Sequence, residues 1–208
     1  MKRRTFILTA PLALAACGDT VLREEVVASQ AAVDRVAYVH PGPKSLTLFT
    51  MRNVGSDNGA HTGLMINASQ RVLWDPAGTF GHPTIPERND VHFGVTPRVE
   101  QFYTSFHARE TYYLQIQEID VSPEIAERAL QLALANGPTP KAACTRHTSR
   151  MLKQLPGFEG IRSAFFPDAL ADQFGTLPGV RSRIYRENDS DDKSIAAAQI
   201  DAAIRAGQ

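Results

Sequence analysis

Ala142-Ala143-Cys144-Thr145-Arg146-His147-Thr148-Ser149-Arg150-Met151-Leu152 sets a cysteine where a loop turns into a helix. With the helix starting at about Cys144, the residues Cys144, Thr148, Met151, Leu152 and Leu155 share one face, and Pro156-Gly157 stops it. The thiol then points inward from the first turn. A thiol is a nucleophile only as thiolate. Its pKa is lowered by the partial positive charge of a helix N-terminus and by a neighbouring imidazolium, and a backbone N–H there can also stabilise an oxyanion.

Working outward, Ser122-Pro123 is a helix start, with Ile125, Ala129, Leu132 and Ala133 as its stripe and Asn136-Gly137 as its end. Beyond the cysteine helix, residues 165–174 read as a short helix, 181–186 as a last strand, and 194–206 as an alanine-rich helix. Before it, Ser45 to Met51 alternates as a strand, a polar loop follows over 52–60, and 61–66 with 71–74 form a hairpin across 67–70. Prolines and glycines make 76–97 a long surface loop with one short strand near 91–95. Thr96-Pro97 starts a helix to about His107, and 111–119 is a strand. Strands and helices without a regular βαβ rhythm predict one α+β domain over 37–208, with a mainly antiparallel sheet packed against helices.

The 208 residues are 43% apolar, and 22 lysines and arginines balance 22 aspartates and glutamates. That is enough to bury a core, and nothing in the charge pattern marks a nucleic-acid partner. No stretch beyond residue 17 is long and apolar enough to span a bilayer. Residues 1–16 carry a basic start, an apolar run and small residues before Cys17, which resembles a bacterial lipoprotein signal with lipid attached to the Cys17 sulfur. Arg3-Arg4 also looks like a twin-arginine export motif. Residues 17–36 are expected to form a polar, poorly packed tether. The implied location is the cell envelope, facing the periplasm through a membrane lipid anchor, with Asp19 favouring the inner membrane. Lipidation leaves Cys144 as the unpaired thiol in an oxidising compartment, where it is either buried and inert or used.

A base has to come from the histidines at 40, 61, 82, 92, 107 and 147. His61 is preferred because it begins an apolar strand, Thr62-Gly63-Leu64-Met65-Ile66, and Gly63 leaves room for close packing. His147 is the rival at i+3 from the cysteine, but Arg146 and Arg150 suggest a solvated edge. His82, His92 and His107 read as surface residues, and His40 carries no particular signal. Metal-ligand spacings and a Gly-rich phosphate loop are absent, so neither a metal nor a cofactor is expected.

His61 to Ile66, a short turn, Arg71-Val72-Leu73-Trp74 and a distant cysteine opening a helix resemble the circularly permuted branch of the papain-like superfamily. That branch includes lecithin:retinol acyltransferase-like proteins and relatives of cell-wall peptidases. The resemblance implies that the thiol faces the imidazole across the sheet and that a polar residue on the next strand orients the histidine. Trp74 stands at the best-matching position, so Asp75 serves only if the strand ends or bulges there. Asn53 and Asp57 are the other polar candidates. The implied activity is a thiol hydrolase or acyltransferase acting on an amide or ester, with a peptidoglycan stem peptide or a lipid acyl group as substrate. The competing reading is a non-catalytic envelope lipoprotein that uses the fold for binding or scaffolding.

Overall fold

The computed structural model describes residues 27–206. The signal at 1–16, Cys17 and the first part of the 17–36 segment lie outside the described residues. The elements are α1 (Gln30–Val36), β1 (Ser45–Asn53), β2 (Gly59–Asn67), β3 (Arg71–Trp74), β4 (Glu87–Arg88), β5 (Val91–His92) and α2 (Pro97–His107). They continue with β6 (Tyr112–Asp120), α3 (Pro123–Ala135), α4 (Cys144–Leu152), α5 (Pro167–Gly175), β7 (Arg181–Tyr185) and α6 (Ser194–Arg205). The protein is α+β: one open sheet in the order β4-β5-β3-β2-β1-β6-β7, every neighbouring pair antiparallel, with helices on it.

Two of the helix starts form as their sequence signals dictate. Thr96 Oγ1 accepts from the Val99 N–H and Ser122 Oγ from the Ile125 N–H, each with proline in the first turn. Strand alternation then divides the apolar residues between two cores. On one face Leu46, Leu48, Leu64, Ile66 and Trp74 meet α3, α4 and α5. On the other, Phe49, Met51, Met65 and Leu73 meet Phe102, Tyr103 and Phe106 of α2 and Ala196 and Ile200 of α6. The sheet is thus covered on both faces.

Three local expectations change. β2 begins at Gly59, before His61, because a register shift between Met51 and Arg52 lets Arg52 pair with Gly59. The 76–97 loop contains a second short strand, β4, hydrogen-bonded to β5. The end of the presumed tether is packed: α1 is capped by Ser29, and its Val33 is 3% exposed in the first core. Among the described residues no helix is long and apolar enough to cross a membrane.

Candidate active site

The site forms where β2 outruns its neighbour. Pairing of β3 with β2 stops at Leu64 opposite Trp74, so the β2 edge at His61 to Gly63 is open on that side. The first turn of α4 packs there. Thr145 Oγ1 lies 3.0 Å from Thr62 Oγ1 in the buried contact and 3.7 Å from the Cys144 sulfur. Met151 and Leu152 anchor the rest of α4 in the first core. The thiol is therefore inward-facing at the helix start, 7% exposed. That helix end has no side-chain cap: Ala143 caps it by backbone alone, after Ala142 at φ 60°. Cys144 and His61 lie close enough for each to shift the other's pKa.

Asp75 is brought to the same point, and the sequence-based difficulty with it dissolves in the register. Met65 pairs with Leu73 and Leu64 with Trp74. Continuing the alternation puts residue 75 across from Gly63, on the face of His61, while Trp74 turns to the opposite core. The strand also ends at Trp74, and Asp75 opens a turn closed by the Gly78 N–H to its carbonyl at 2.9 Å. Asp75 is 1% exposed. Its Oδ1 accepts from His61 Nε2 at 2.7 Å and from the Tyr103 hydroxyl at 2.8 Å. With Nε2 held by Asp75, Nδ1 is the imidazole nitrogen left for the thiol.

Two glycines make this approach possible. A Cβ on Gly63 would stand 2.1 Å from the Tyr103 hydroxyl and 3.2 Å from Asp75 Oδ1, and one on Gly78 would strike the Asp75 carboxylate. The other polar candidates are occupied elsewhere. Asn53 Oδ1 accepts from the N–H groups of Gly55 and Ser56, and Asp57 takes the Tyr113 hydroxyl and Arg52.

Electrostatics reinforce the pairing. Burial alone would lower the His61 pKa, but the charge and hydrogen bond of Asp75, with Cys144, raise it to about 10. Burial alone would raise the Cys144 thiol, yet the His61 hydrogen bond and charge, then Thr145 and the Thr62 N–H, bring it below its ordinary value. Burial likewise opposes ionisation of Asp75, and His61 overrides it, holding the carboxyl well below the usual range. Burial beside that carboxylate pushes Tyr103 well up, so its hydroxyl stays a donor.

The remaining histidines correct the sequence reading. His107 and His92 are buried, at 9% and 2% exposure, and are not surface residues. The His82 side chain is also covered, and its Nε2 pairs with Asp201. His107 ends α2 with its ring stacked on His61 at 6.1 Å between centroids. Its Nδ1 lies 2.9 Å from the Tyr103 carbonyl, so Nδ1 carries the hydrogen. Burial lowers its pKa to about 4. His147 is not the base: its Nδ1 bonds Asn136 Oδ1 at 2.9 Å. Sequence reasoning missed Tyr103 and His107: their i, i+4 spacing puts them on one face of α2 but does not say what that face meets. A cavity of about 410 Å³ opens beside His61, with His107, Arg109, Thr111 and Lys193 among its walls. Among the described residues no group of side chains is arranged to hold a metal ion. No family model, curated protein or solved structure matches the chain.

Proposed function

We propose that this chain is a thiol hydrolase or acyltransferase of the permuted papain-like kind, anchored through lipidated Cys17 to a bacterial membrane and facing the periplasm. It acts on an amide or ester, with a peptidoglycan stem peptide or a lipid acyl group as substrate. The observation that carries this reading is the buried group of Cys144, His61, Asp75 and Tyr103, in which Asp75 accepts from His61 and Tyr103 and His61 lowers the Cys144 thiol.

With His61 raised and Cys144 lowered, the imidazole holds a proton more firmly than the thiol does, which favours a thiolate and imidazolium pair held by Asp75. The thiolate attacks the carbonyl carbon. Backbone N–H groups at the uncapped start of α4 take the developing oxyanion charge. His61 gives its proton to the leaving group as the acyl thioester forms, then takes one from the water or acceptor that releases it.

The test is alkylation of the purified protein with iodoacetamide across pH. The expected Cys144 midpoint lies below about 8.5, the value of a free thiol. His61→Ala moves it up towards that value, and Cys144→Ala abolishes both labelling at this site and acyl-enzyme formation. A midpoint at the free-thiol value, indifferent to His61→Ala, rejects the activated pair and leaves the binding or scaffolding reading.

A further inference from the structure

The segment joining α4 to α5 ends in two consecutive aromatics that no core uses. Phe165 and Phe166 are 67% and 73% exposed, more than any other large apolar side chain among the described residues. Their backbone is firmly placed. The Ala164 N–H before them donates to Ser149 Oγ at 3.0 Å, and Pro167 after them is buried against Gly59. They are therefore presented by a fixed support. The support adjoins, along the chain, the residues of the candidate site: the Arg146 guanidinium, two residues from Cys144, lies 5.5 Å from the Phe165 ring centre, and Gly59 is two residues from His61.

The segment leading to the pair is predominantly basic. From 146 to 166 the chain carries Arg146, Arg150, Lys153 and Arg162 against the single acid Glu159. Just beyond, Asp168 is turned to Arg52 and the Gly59 N–H, and Asp172 is exposed on α5. Rigid aromatics beside basic side chains suit the boundary of an anionic bilayer, where rings bury in the headgroup layer and cations meet phosphates.

We propose that Phe165 and Phe166 form a membrane-docking surface, which lays the Cys144 end of the domain on an anionic lipid bilayer. A bilayer is favoured over a protein partner by the length of chain before the described residues. Val27 is ten positions along the chain from Cys17, so an anchor at Cys17 keeps Val27 within about 35 Å of the lipid and makes weak docking effectively intramolecular. That step rests on the lipid-anchor reading.

The experiment uses the full chain carrying Phe166→Trp, reconstituted in phosphatidylglycerol vesicles with plain or brominated acyl chains. The only native tryptophan, Trp74, is fully buried and supplies a constant background. The introduced indole is expected to shift to shorter emission wavelength, to be quenched at least about twofold by brominated lipid, and to lose access to aqueous acrylamide. Phe165→Ser is expected to weaken the quenching. An indole open to acrylamide and untouched by brominated lipid overturns the proposal. So does one shielded from acrylamide without bromolipid quenching, which would mean that protein covers it. Membrane release and mass of Cys17→Ala report the anchor separately, so a failed anchor and a failed docking surface give different results.

Discussion

At the scale of single residues, the two stacked histidines have opposite electrostatic tasks. His61 is raised to about 10 by Asp75, so its contribution to stability is complete below about pH 6.5, its unfolded value, and is lost as pH rises towards 10. His107 is lowered to about 4 by burial, so its contribution is complete above about pH 6.5 and is lost as pH falls towards 4. Stability in urea should therefore peak near neutrality and fall on both sides. His107→Asn, which keeps an amide to donate to the Tyr103 carbonyl, is expected to flatten the fall between about pH 6.5 and 5. The full acid limb is on the order of 3 kcal/mol. A wild-type profile without that fall, or a variant that retains it, defeats the assignment. His61 was legible as the preferred base from its place before an apolar strand. His107 was not, because a histidine at a helix end looks solvated until α6 and the 186–193 segment fold over it. There, Lys193 lies 4.3 Å from the Phe106 ring centre.

At the scale of elements, α4 pays for its position at its first turn. Ala142 sits at φ 60°, a region that costs a residue with a Cβ about 1–2 kcal/mol, and Ala143 offers no side chain to the free N–H groups. Those groups are the ones that the proposed reaction assigns to the oxyanion. Ala142→Gly is expected to raise unfolding stability by about 0.5–1 kcal/mol without changing the thiol's alkylation midpoint, since glycine relieves strain but adds flexibility to the unfolded chain. Urea unfolding and the same alkylation profile check both halves, and a destabilised variant would show that the strain is not relieved. The helix itself was readable from its apolar face and its Pro156-Gly157 stop. The β3 problem was of a different kind. Sequence placed Trp74 where a polar group was wanted, whereas the register of one hairpin, Leu64 with Trp74, gives that place to Asp75.

At the scale of the whole molecule, the central strands that carry the site lie between two cores, and Trp74 is part of the first. It is fully buried, and its indole Nε1 has no hydrogen-bond partner. Losing an unpartnered N–H costs little, so Trp74→Phe should be much milder than Trp74→Ala, for which a loss of about 3–5 kcal/mol is expected. Denaturation midpoints rank the two, and equal losses would mean that the indole makes a bond of its own.

The sequence by itself determined the α+β class, most element positions, the inward thiol and His61 as the histidine to set beside it, because these follow from local periodicity, caps and turn residues. Only the tertiary structure decided which polar group orients His61, that Tyr103 braces it, and that His107 lies against it. Each of those depends on strand register or on a helix meeting the sheet, contacts between residues 14 to 46 positions apart along the chain, from His61 with Asp75 to His61 with His107.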